Sequence, residues 1–169
     1  VVSEPKLKVS KKPKRRRTPP EEIVDYIVLI EDWDWGYSLS LNTERDAIDP
    51  YREFRHLQIR GRLLHPKGLK TNRVEITLLP SHEMLPKARK DRKPRCAGSL
   101  DVYDDRIAGL VSIPIDALPP ILQMLIADRF RFVAMRGPRF RYRQALCNSF
   151  RIEMKLNPDD LPEGTELPR

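Results

Sequence analysis

The sequence predicts a mainly β protein, an antiparallel β-sandwich or partly open β-barrel of about eight strands with one amphipathic helix over about residues 117–128. Two observations carry this expectation. Apolar and polar residues alternate at period two in several short runs, most cleanly where Phe150, Ile152, Met154 and Leu156 alternate with Arg151, Glu153 and Lys155. One stretch alone repeats its apolar residues at helical spacing, and no repeat of fixed period is present.

The first run, EIVDYIVLIEDWDW, is rich in branched and aromatic residues and predicts a strand. WGYSLSLN predicts a second, with Tyr37, Leu39 and Leu41 on one face and Gly36 as a turn or bulge between the two. TERDAIDPYRE predicts a polar connection. In HLQIRGRLLHP, Leu57, Ile59 and Leu63 share a face with Gly61, while Gln58, Arg60 and Arg62 point away. PKGLKTN carries turn residues, and RVEITLLP turns Val74, Ile76 and Leu78 inward. These two runs predict a hairpin, in which Arg60 or Arg62 pairs with Glu75.

SHEMLPKARKDRKPRCAG predicts a long polar loop, basic over 83–97. GSLDVYDD and RIAGLVSIPI predict two strands joined by a tight turn. DALPPILQMLIADRF is the helix. Asp116 is its expected N-cap, Pro119 and Pro120 suit its first turn, and Leu118, Ile121, Leu122, Leu125 and Ile126 form its apolar stripe. RFRFVAMRGPRFRYR predicts a hairpin turning at RGPR, with Phe130, Phe132, Phe140 and Tyr142 inward and the arginines outward. Val133 and Met135 fall on the arginine parity, which predicts a bulge or a switch of faces.

Domain organisation follows composition. Residues 1–20 contain eight Lys and Arg, one acid and no aromatic, and predict a disordered basic arm. Residues 21–156 predict a single β-rich domain, and 157–169 a flexible acidic tail. The net charge of +8 resolves into +7 on the arm and +1 on all the rest. Within that near-neutral body, 83–95 carry +4 and 129–143 carry +6. A positive patch results if both segments share a face.

The candidate polyanion contacts are Lys11, Lys12, Lys14, Arg15, Arg16 and Arg17 in the arm, Lys90 and Arg92 in the loop, and Arg139, Arg141 and Arg143 in the hairpin. Rings and guanidinium groups facing apart favour backbone contact over base stacking. Trp33 and Trp35 share a strand parity and are the candidate protein interface.

Catalytic signatures are absent. The chain has no phosphate-binding Gly-rich loop and no nucleophile elbow. His56, His65 and His82 are scattered, Cys96 and Cys147 form no zinc pattern, and the acids of DVYDD lack calcium-loop spacing. No metal and no cofactor is expected, and the two thiols read as reduced cysteines of a cytoplasmic protein, or a nuclear one in a eukaryotic host. No apolar run reaches the ~18–20 residues of a membrane helix.

Three functions fit. The first is a non-enzymatic accessory module whose neutral β-rich body makes protein contacts while its basic arm and arginine-rich hairpin contact nucleic acid or another polyanion, such as an acidic protein. The second is a pure protein–protein interaction or structural module. The third is an enzyme whose site is assembled from distant residues.

Overall fold

The computed structural model describes residues 21–45, 48–90, 93–157, 161, 162 and 165. The expected basic arm, 1–20, and most of the acidic tail lie outside the described residues. Eight strands are described: β1 (Ile23–Leu41), β2 (Tyr51–His65), β3 (Arg73–Ser81), β4 (Gly98–Val102), β5 (Ile107–Pro114), β6 (Phe132–Pro138), β7 (Gln144–Cys147) and β8 (Ser149–Glu153). They form one sheet in the order β7-β4-β5-β3-β2-β1-β6-β8. Neighbours run antiparallel except β3 and β5, which are parallel, with Val74 opposite Ile107. This is the mainly β fold with a partly open barrel that alternation predicts.

The two outer strands of this order are halves of a single bent strand, because only Asn148 separates β7 from β8. The first half pairs with β4, where Cys147 lies opposite Gly98. The second half pairs with β6, where Glu153 lies opposite Phe132. At the bend the Asn148 amide donates to the Arg136 carbonyl at 2.6 Å. One strand thus serves both seams, and the sheet is nearly closed into a barrel. The bend presses on Gly137, where a Cβ would stand 2.8 Å from the Cys147 Cα.

Side chains that alternate inward fill the interior. Tyr26, Val28, Leu57, Ile59, Ile76 and Leu100 are all within 2% of complete burial and belong to one cluster. No charged side chain is buried among the described residues. The predicted hairpin of β2 and β3 is present, with Leu57 opposite Leu78 and Arg60 opposite Glu75. The expected ion pair goes elsewhere. Arg60 reaches Asp32 at 2.8 Å and Arg62 reaches Glu31, both on β1, while Glu75 is held by Arg73 and Arg106.

Four local expectations are corrected. The first two predicted strands are one 19-residue strand, which passes through Gly36 without a turn. Its register shifts fall instead between Ile27 and Val28 and between Ile30 and Asp32. Gly36 serves to admit the His56 ring, whose Cε1 lies 2.4 Å from where a Cβ would be. The long basic loop contains a 3₁₀ turn at His82–Met84 and a short helix α1 at Pro86–Arg89. The predicted helix is a 3₁₀ turn at Ile115–Ala117 running into α2 at Leu118–Ile126.

In α2 the prolines occupy the first turn as expected, but Asp116 lies within the preceding 3₁₀ turn and caps nothing. Leu118 and Leu125 enter the core, whereas Ile126 faces solvent. The helix stops at Asp128, whose φ of 51° is left-handed. There the Asp128 amide donates to the Leu125 carbonyl and the Arg129 amide to the Met124 carbonyl, each at 2.9 Å, which satisfies two carbonyls of the last turn.

The fourth correction concerns the arginine-rich stretch. No turn occurs at RGPR, because β6 runs straight through to Pro138. Val133 and Met135, on the arginine parity, are the residues that reach the core. Phe132 and Ala134 are buried on the opposite side of the strand, opposite Leu29 and Ile27 of β1.

Candidate nucleic-acid interface

The chain leaves β6 at Pro138 and reverses four residues later. Arg141 and Gln144 exchange backbone hydrogen bonds across Tyr142 and Arg143. Those two residues have φ of 51° and 67°, the paired positive values of a type I′ hairpin turn. That turn ordinarily uses Asn or Gly, since a side chain in the left-handed region crowds its own backbone. Here it carries a tyrosine and an arginine.

The turn separates the two rings expected to share a face. Phe140 packs on the core, edge-on to Tyr26 with centroids 5.0 Å apart. Tyr142 is 90% exposed. The Arg141 guanidinium lies over the Tyr142 ring, 5.4 Å from its centroid. The expectation that all rings point inward is therefore overturned at Tyr142, and guanidinium and exposed ring stand together.

Tyr142 lines an open groove of ≈ 1100 Å³ together with Arg95, Arg139, Arg141, Gln144 and Asn148. Arg95 comes from the basic loop, so that loop and the arginine-rich stretch do meet on one face. Glu21 and Glu22 line the same groove. Glu22 pairs with Arg139 at 3.2 Å, and its carbonyl accepts the Arg139 amide at 3.0 Å. Both side chains of that pair are about two-thirds exposed, so the pair is worth at most about 1 kcal/mol.

Not all the predicted contacts converge. Arg143 turns to Asp104 at 3.2 Å and does not line the groove. Lys90 is exposed at the end of α1, away from the groove lining. Arg92 and the arm residues Lys11, Lys12, Lys14, Arg15, Arg16 and Arg17 lie outside the described residues. Trp33 is half-buried against the core, and Trp35 is largely exposed on the same face of β1. Tyr142 and Arg95 were not among the predicted site residues. No Gly or Asn marks a turn at FRYRQ, so nothing local in the sequence signals that Tyr142 leaves the core parity.

Burial governs the ionisation of the groups beneath the groove. Desolvation, reinforced by Cys147, pushes the Tyr26 phenol up to about 12. Desolvation likewise pushes the Cys147 thiol up to about 12, with Cys96 adding to it. A thiol held protonated is a poor nucleophile. Among the described residues no three His, Cys, Asp or Glu side chains cluster as a metal site, and no helix is long and apolar enough to cross a membrane. No family model, curated protein or solved structure matches this chain.

Proposed function

We propose that this chain is a non-enzymatic binding module for single-stranded nucleic acid, with Tyr142 as a stacking platform and Arg95, Arg139 and Arg141 as phosphate contacts. The observation that carries the reading is the joint lining of one groove by an exposed ring and three guanidinium groups drawn from two distant segments. Single-strand binders combine a cationic track with aromatic faces that accept any base. The weak Glu22–Arg139 pair is readily exchanged for a phosphate, which bonds guanidinium more strongly.

Covalent continuity supports the reading further. Arg17 precedes Glu21 by four residues, so a fully extended chain keeps it within roughly 14 Å of the groove edge. Lys11, Lys12, Lys14, Arg15, Arg16 and Arg17 all precede Glu21 by ten residues or fewer, and their charge raises affinity without base preference.

The test is binding of mixed-sequence single-stranded DNA and RNA, and of duplex, by the full chain across a salt series. Single strands bind, and affinity falls steeply with salt. Tyr142→Ala weakens single-strand binding by about 1–3 kcal/mol and leaves duplex binding little changed. Arg139→Ala with Arg141→Ala lowers the salt slope by about one to two units. Absence of binding by the full chain, or binding indifferent to all three substitutions, sinks the reading.

A further inference from the structure

Among the described residues the outer half of the β1–β2 hairpin has no third strand. β6 pairs with β1 only over Ile23 to Leu29, and β3 pairs with β2 only from Leu57 onward. Residues 36–41 and 51–56 therefore form a two-stranded ribbon beyond the barrel, held in register from Gly36 opposite His56 to Leu41 opposite Tyr51. Opposed residues of an antiparallel pair point to the same side. Leu57 and Ile59, on the Trp33 side, are buried in the barrel. The same side continues outward as Trp35, Tyr37, Leu39, Leu41 and Tyr51, which are 44% to 71% exposed. The opposite side carries Asp34, Ser38, Ser40, Arg52 and His56, with the half-exposed Phe54 ring against His56. The Trp33 side also carries the Glu53–Arg55 ion pair, and is otherwise an uncovered apolar extension of the core.

We infer that this face is a homodimer interface, covered by the same face of a second copy of this chain. Three observations favour a second copy over another partner. The first is area. The five exposed residues present on the order of 600 Å² per chain. Doubled across a two-fold axis this is about 1,200 Å², the lower edge of a specific stable interface. The second is charge. The charges on this face, Arg55 and Glu53, are bound to each other. The face is thus neutral, and two copies meet without repulsion. The third is self-complementarity. The Glu53–Arg55 pair lies mid-ribbon beside Tyr37 and Leu39, so a two-fold axis there sets each guanidinium beside the second copy's carboxylate while the Trp35 end covers the Leu41 end. Two stacked ribbons become a small sandwich, a stable state that a lone two-stranded ribbon lacks.

The interface lies at the far end of β1 from the groove, which begins at Ile23, so it is separable from the proposed nucleic-acid site. The experiment is sedimentation of the full chain over a concentration series at high salt, which prevents bridging by nucleic acid. The expected mass is twice the 19.8 kDa of one chain. Leu39→Glu with Leu41→Glu raises the dimer dissociation constant at least about a hundredfold, because it places unpaired carboxylates in the contact. In the unmodified chain, amide exchange over 36–41 and 51–56 slows as concentration rises. A single-chain mass at every concentration, a dimer that survives the double substitution, or exchange of the ribbon independent of concentration overturns the proposal.

Discussion

Arg141 and Gln144 exchange backbone hydrogen bonds in both directions, at 2.9 and 3.0 Å, across a loop of two residues that both have positive φ. Neither loop residue is one that favours this conformation. Each stores strain on the order of 1 kcal/mol or more.

Replacing Tyr142 and Arg143 by Asn and Gly therefore stabilises the protein by about 1–2 kcal/mol, read as a higher urea midpoint with unchanged slope. The same substitution weakens single-strand binding. A gain in stability with a loss of affinity is the signature of a turn whose tyrosine serves the groove rather than the fold.

The Tyr26 hydroxyl donates to the Pro138 carbonyl at 2.7 Å, just where β6 gives way to that turn. Tyr26→Phe removes this bond and costs about 1 kcal/mol, read by chemical denaturation.

Alkali tests the same region. In the folded chain the Tyr26 phenol and the Cys147 thiol both ionise near about 12, above their ordinary values of 10.0 and 9.0. Below about pH 8 both groups are protonated whether the chain is folded or not, and they add no pH dependence to stability. From there to about 12 the unfolded chain releases protons that the folded chain retains, so stability falls as pH rises. Ultraviolet titration of the five tyrosines shows a late step near pH 12, and Tyr26→Phe abolishes it.

Two glycines of similar crowding differ in consequence. At Gly137 a Cβ meets the backbone of Cys147 and Leu146, at 2.8 and 2.9 Å, and backbone in a paired strand cannot yield. Gly137→Ala costs about 2–4 kcal/mol. At Gly36 a Cβ meets the end of the His56 side chain, which can rotate away, and Gly36→Ala costs less than about 1 kcal/mol. Thermal and urea melts of the two variants check the contrast.

The architecture was legible where local chemistry repeats itself. The alternation of Phe150 and Ile152 with Arg151 and Glu153 marks β8, and turn residues around Gly68 mark the β2–β3 hairpin. What escaped depends on partners distant in sequence. The parallel pairing of Val74 with Ile107 follows from a crossover that no local pattern encodes. The inward side of β6 was misassigned because Phe132 and Ala134 are buried as well as Val133 and Met135, which erases the alternation. Of the candidate site, Arg139 and Arg141 were legible as charge, whereas their meeting with Arg95 and Tyr142 is a product of tertiary closure.

The bend at Asn148 has a consequence for biosynthesis. Both seams of the barrel are sewn by one stretch that follows the other described strands in the chain, so β4 and β6 each expose a raw edge until residues 144–153 emerge. A nascent chain stalled before that point holds nearly all of the barrel's core residues and none of its closure, which makes that interval the one most open to aggregation.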